Sequence, residues 1–177
     1  ISQSGAVGGC IVDLAARAGI GMSKFVSYGN AAVIDECDLL QYLADDKETD
    51  IIVAYLEGVK DGRRFLEIAR EITKKKPVVV LKAGKSASGA EAAKSHTGSL
   101  AGAAEAYKAA FRQANIIEAQ TLDQLFDFAK IFDQILPCGG RVGIITNGGG
   151  MGVLATDSLE EEGLQLAKLS GESVSML

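Results

Sequence analysis

Apolar, β-prone runs alternate with longer stretches whose apolar side chains recur every three and four residues, and this alternation constrains the fold more than any other feature. The spacing predicts strands at Lys24–Tyr28, Ile51–Leu56, Pro77–Lys82, Ile116–Glu118 and Arg141–Thr146. It predicts helices at Gly8–Ala18, Asp35–Ala44, Gly62–Lys75, Ser99–Ala114 and Leu122–Ile135. Ile51–Leu56 and Val78–Leu81 are almost continuously apolar, as strands covered by helices on both faces must be. The expected fold class is therefore α/β, a doubly wound parallel sheet. Pro137-Cys138-Gly139-Gly140 cannot continue a helix and marks a boundary. Residues 1–136 are expected to form one domain and 137–140 a linker, with 141–177 the truncated start of a second domain, because one strand and one helix cannot bury a core. The chain starts at Ile1, without Met and inside a strand-like run, and reads as an excerpt of a longer protein.

A repeat crosses that boundary. Ile1-Ser2-Gln3-Ser4-Gly5-Ala6-Val7-Gly8-Gly9 aligns with Ile145-Thr146-Asn147-Gly148-Gly149-Gly150-Met151-Gly152-Val153. Identities fall at Ile1/Ile145, Gly5/Gly149, Gly8/Gly152, Asp13/Asp157 and Gly19/Gly163. Both copies read as a strand end, a polar glycine turn and a helix. The first N–H groups of a helix lack intrahelical partners and the macrodipole is positive there, so such a turn suits an anion. Ser4 and Asn147 either add donors to a phosphate or serve as ordinary helix caps.

Other glycine signatures do not fit. A Walker loop ending at Gly84-Lys85-Ser86 would need glycine where Val79 stands. Neither turn spells G-x-G-x-x-G, and no G-x-S-x-G elbow occurs. The net charge of −5, without a basic run, argues against nucleic acid or a membrane surface as partner. Cys10, Cys37 and Cys138 form no C-x-x-C pair, which excludes a cysteine zinc site; they are expected as small core residues in a reducing cytoplasm.

Chemistry that needs imidazole must fall on His96, the single histidine. It sits in a loop of small polar residues, 83–99, at the carboxyl end of a predicted strand, where doubly wound folds place ligands. No second His or Cys lies nearby at metal-ligand spacing. A general base, a phosphoryl acceptor and a surface histidine without chemistry remain open. Glu57, just after the second strand, would share that edge and offers an orienting carboxylate, or a surface acid beside Gly58.

The residues resemble one family: the nucleoside-diphosphate-forming acyl-CoA synthetases, related to succinyl-CoA synthetase. The resemblance rests on Ser2-Gln3-Ser4-Gly5-Ala6, Ser27-Tyr28-Gly29-Asn30, Tyr55-Leu56-Glu57-Gly58, Lys94-Ser95-His96-Thr97-Gly98-Ser99-Leu100-Ala101-Gly102 and Thr146-Asn147-Gly148-Gly149-Gly150-Met151-Gly152. It implies a flavodoxin-like fold and an acid–CoA ligase that interconverts acyl-CoA, phosphate and a nucleoside diphosphate with acid, CoA and the triphosphate. It carries the phosphohistidine to His96, the orienting carboxylate to Glu57, and phosphate binding to Ser4, Gly5, Ala6, Asn147, Gly148, Gly149 and Gly150, with no metal ligand in this chain. It implies CoA, ADP or ATP, Mg and phosphate as cofactors and substrates, with a small carboxylic acid. A CoA-binding Rossmann-type domain and an ATP-grasp domain or subunit are the implied partners, in an oligomer. The chain departs from the family at Ala31-Ala32-Val33, where relatives often carry an acid. The alternative function is a non-catalytic CoA-sensing module of a protein acetyltransferase.

Overall fold

The computed structural model describes residues 1–86, 88, 89, 91, 104–133 and 139–176. The chain divides into two compact units, Ile1–Ile135 and Leu136–Leu177. In the first, α1 (Gly5–Arg17) and α2 (Glu36–Asp45) precede β1 (Ile52–Leu56); α3 (Gly62–Ile72), β2 (Val78–Lys82), α4 (Ala104–Gln113), β3 (Ile117–Ala119) and α5 (Leu122–Asp133) follow. The strands form a parallel sheet in the order β1-β2-β3, with Ile52 opposite Val78 and Val79 opposite Ile117.

Strand alternation sends side chains to both faces. Ile52, Ala54, Leu56, Val78 and Val80 join Leu40, Phe65, Ile72 and Phe111 in one core cluster. Val53, Tyr55, Val79 and Leu81 join Ile11, Ala119 and Leu125 in the other. Helices cover both faces, and the doubly wound parallel architecture expected from the apolar runs is present.

Lys24–Tyr28, expected as a strand, forms no ladder. Ser2 bridges Ser27 on one side and Tyr55 on the other, both in parallel sense. Four backbone bonds carry this junction, including Ser2 N–H to the Val26 carbonyl (2.9 Å) and Gln3 N–H to the Tyr55 carbonyl (3.0 Å). From Ser4 onward the neighbouring backbone turns into α1 and offers 24–28 no further pairing. The cysteine expectation fails at Cys10, which is exposed, while Cys37 is buried and Cys138 lies outside the described residues. The buried stripe of α1 is Gly8, Ile11 and Ala15, and position 10 falls off it.

The second unit contains β4 (Arg141–Val142), α6 (Gly149–Glu161), β5 (Gln165–Leu166) and α7 (Gly171–Met176), with β4 and β5 parallel. The strand expected over 141–146 shrinks to two residues because its partner β5 is equally short. Leu159 is the one buried hydrophobic among its described residues, and Ile145, Met151, Val153 and Leu154 are exposed. No helix among the described residues is long and apolar enough to cross a membrane.

Candidate functional site

The repeat reappears in three dimensions. Both helices have thirteen residues, Gly5–Arg17 and Gly149–Glu161, and start at equivalent glycines. Each ends on a glycine in the left-handed region, Gly19 (φ 67°) and Gly163 (φ 73°), whose N–H closes the last turn. In the first copy the Ser4 N–H donates to Ser2 Oγ (3.3 Å); in the second the Gly148 N–H donates to Thr146 Oγ1 (3.0 Å). A Cβ on Gly8 would lie 3.3 Å from Ser2 Cβ, and one on Gly152 would lie 3.2 Å from Thr146 Cγ2. The helix therefore rests against the same hydroxyl residue in both units.

The copies differ at the cap. Ser4 Oγ accepts from the Val7 N–H at 3.3 Å, so its hydroxyl is an N-cap. Gly148 caps α6 without a side chain, and Asn147 stands one residue outside the cap. Neither helix has an acidic residue in its first turn, so the positive end of each dipole is not neutralised from within. Gly5, Ala6, Gly149 and Gly150 are exposed. α1 starts three residues before its expected position, and this brings Ser4 to the cap.

At the carboxyl edge of the first sheet the structure joins α1 to Glu57. Gln3 Oε1 accepts from the N–H groups of both Glu57 (2.6 Å) and Gly58 (3.0 Å). Glu57 is 7% exposed, and Tyr55 Oη donates to its Oε1 at 3.4 Å. Burial, and then the Glu57 charge, push the Tyr55 phenol up from its ordinary value. Beneath this edge Lys82 Nζ donates to the carbonyls of Glu57 (2.8 Å) and Ala83 and sits 4.5 Å from the centre of the Tyr107 ring. Tyr107 Oη accepts from the Val59 N–H (3.0 Å), and Glu36 Oε1 accepts from the Lys60 N–H (3.3 Å). Burial raises the Glu36 carboxyl and lowers the Lys82 ammonium, in each case by disfavouring the charged form. Asp35 caps α2 and pairs with Arg64 at 2.7 Å.

Gln3, the residue before Ser4, thus ties the start of α1 to the Glu57 backbone, and Asn147–Gly150 form a separate turn in the second unit. His96 lies outside the described residues; the described start of its loop is fastened by Lys85, which pairs with Glu118 at 2.7 Å. Gln3, Lys82 and Tyr107 were not candidates in the sequence. The one available signal was Lys82, a charge at the end of an apolar strand. Among the described residues no three His, Cys, Asp or Glu side chains gather as a metal site. A groove of about 630 Å³, bordered by Ile1, Phe25, Glu48 and Val53, contains none of the candidate site residues.

The family model of the succinyl-CoA ligase like flavodoxin domain matches residues 1–132, in agreement with the parallel sheet covered on both faces. The chain belongs to the nucleoside-diphosphate-forming acyl-CoA synthetase family through this domain. It is 52% identical, over all of its length, to 39% of the alpha subunit of acetate–CoA ligase [ADP-forming] II from Pyrococcus furiosus. It is 44% identical over 96% of its length to 25% of the 4-hydroxybutyrate–CoA ligase [ADP-forming] of Nitrosopumilus maritimus. The dinucleotide forming acetyl-coenzyme A synthetase 1 of Ca. Korarchaeum cryptofilum, solved in complex with phosphate and ADP, superimposes with a TM-score of 0.89 at 41% identity, covering 96% of this chain and 37% of that one. The chain spans well under half of each of these relatives.

Proposed function

We propose that the chain is the phosphoryl-handling part of an ADP-forming acid–CoA ligase, with residues 1–136 as its phosphohistidine domain and 141–177 as the start of a second flavodoxin-like domain. The supporting observation is Glu57, buried at the end of β1 and tied by Gln3 to the turn that opens α1. In this reading phosphate attacks the acyl thioester, the C–S bond breaks, and CoA leaves as its thiol. A ring nitrogen of His96 then attacks the phosphorus of the acyl phosphate, and the carboxylic acid departs. Glu57 accepts the N–H of the other ring nitrogen, fixes the tautomer and stabilises the charge that develops on the ring. Ser4-Gly5-Ala6 and Asn147-Gly148-Gly149-Gly150 offer backbone N–H groups and helix dipoles to the phosphoryl oxygens. A terminal oxygen of the nucleoside diphosphate finally takes the phosphoryl group, and neutral imidazole returns.

CoA, the Mg-bound nucleotide and the small carboxylic acid are assigned to a CoA-binding Rossmann-type domain and an ATP-grasp domain or subunit in an oligomeric enzyme. That the relatives include a named alpha subunit supports this division. No described residue of this chain is assigned to Mg. The test restores those parts and supplies labelled ATP with Mg²⁺. Acid-labile, base-stable label that vanishes in His96→Gln and falls sharply in Glu57→Gln is the expected result. Unchanged labelling of His96→Gln would overturn the proposal.

A further inference from the structure

We propose that Lys82 and Gln3 are positioning residues that hold Glu57 in place for its work on the phosphoryl acceptor, an inference that rests on the role given to Glu57 above. β1 ends at Leu56, and the Ala83 N–H to Leu56 carbonyl bond (2.9 Å) lies at the end of its pairing with β2. Beyond it, among the described residues, no strand pairs with the loop of Glu57, Gly58, Val59 and Lys60. Side chains from three different parts of the unit replace the ladder: Gln3 takes the N–H groups of 57 and 58, Tyr107 that of 59 and Glu36 that of 60. Lys82 closes the arrangement from the other side by donating to the Glu57 carbonyl. The peptide groups flanking the Glu57 α-carbon are thereby gripped on both sides, by an amide oxygen and by an ammonium.

The lysine is unusual in what it is given. It is 3% exposed in a strand that otherwise reads Val-Val-Val-Leu, and its contacts are two carbonyls and a ring face. A buried ammonium is costly unless it is hydrogen-bonded, and among the described residues its partners are these two carbonyls and the ring. Its contacts point to the loop and to the tyrosine that also holds the loop. Loss of either clamp frees the backbone at the residue whose carboxylate must stay aligned with the imidazole. Displacements of about 1 Å at such groups cost on the order of 100-fold in rate.

The experiment measures single-turnover phosphorylation of the complete ligase from labelled ATP and Mg²⁺ in Lys82→Met, Gln3→Met, Gln3→Glu and Glu57→Gln, and in the double variants of each Met substitution with Glu57→Gln. Lys82→Met and Gln3→Met should each slow phosphorylation by about 10- to 100-fold, with the half-saturating nucleotide concentration unchanged. Gln3→Glu, which keeps an acceptor for both N–H groups, should recover most of the rate. In the Glu57→Gln background neither Met substitution should slow the reaction further, because both act through Glu57. A merely structural contribution would lower the rate by the same factor in both backgrounds and overturn the proposal. So would normal rates in the two Met variants while Glu57→Gln is impaired. Normal phosphorylation of Glu57→Gln would overturn the role of Glu57 itself. Should Lys82→Met not fold, the Gln3 arm and its Glu rescue decide alone.

Discussion

Ser4 separates the stability of α1 from its capacity to take an anion, and the second copy of the turn supplies the reference. The Ser4 hydroxyl satisfies one of the unpaired N–H groups of the first turn, that of Val7 at 3.3 Å. Alanine removes the acceptor while its methyl still shields that N–H from water. Glycine removes it and leaves the N–H open, as at Gly148, whose backbone (φ −112°, ψ 102°) closely matches that of Ser4 (φ −108°, ψ 126°). Ser4→Ala should cost about 1 kcal/mol and Ser4→Gly only a few tenths. For a unit of this size 1 kcal/mol corresponds to roughly 4 °C in Tm. Tyrosine fluorescence reads the result cleanly, because Tyr28, Tyr42, Tyr55 and Tyr107 all lie in the first unit and the chain has no Trp. Ser4→Asp caps as well as serine but places a negative charge at the helix start, so it should melt like the parent and lose phosphorylation in the complete ligase. Equal losses for Ala and Gly, or a fully labelled Ser4→Asp enzyme, would refute the reasoning.

Gly8→Ala puts a Cβ 2.3 Å from Phe25 Cζ and 3.3 Å from Ser2 Cβ, and should destabilise the first unit by about 1–3 kcal/mol. Gly9→Ala, with nothing within 4 Å of its Cβ, should instead stabilise it by about 0.5–1 kcal/mol, both read from urea midpoints. The Asp35 backbone N–H, and then the Arg64 guanidinium, hold the Asp38 carboxyl below its ordinary value. That contribution is present above the unfolded carboxyl pKa and lost as pH falls through the folded one, so Arg64→Met should lower neutral stability and make the acid limb of the urea-midpoint profile shallower.

Where local pattern sufficed, the fold was legible. β1 and β2 are apolar on both faces because helices cover both, and such runs can be read without tertiary knowledge. Lys24–Tyr28 has the same β-prone composition, yet a ladder needs a partner, and its neighbour contributes one bridge at Ser2. Glu57 was legible as a carboxylate at a strand end, but its support was not. The bond from Gln3 spans 54 positions and that from Tyr107 spans 48, distances at which no periodicity speaks. Lys82 looks like a charge leaving a strand for water until Tyr107 arrives over it. Asn147 was placed beside Ser4 by role, although Gly148 holds the equivalent cap position.

The paired hydroxyl and glycine, Ser2 with Gly8 and Thr146 with Gly152, give the chain its own reference sample. An alanine at 8 meets Phe25 as well as Ser2, whereas an alanine at 152 meets only the Thr146 methyl. Because the same chemical change is made in nearly the same backbone, subtracting one effect from the other isolates the surroundings. A fold that carries one device twice thus allows context to be measured by difference, within a single polypeptide and a single buffer.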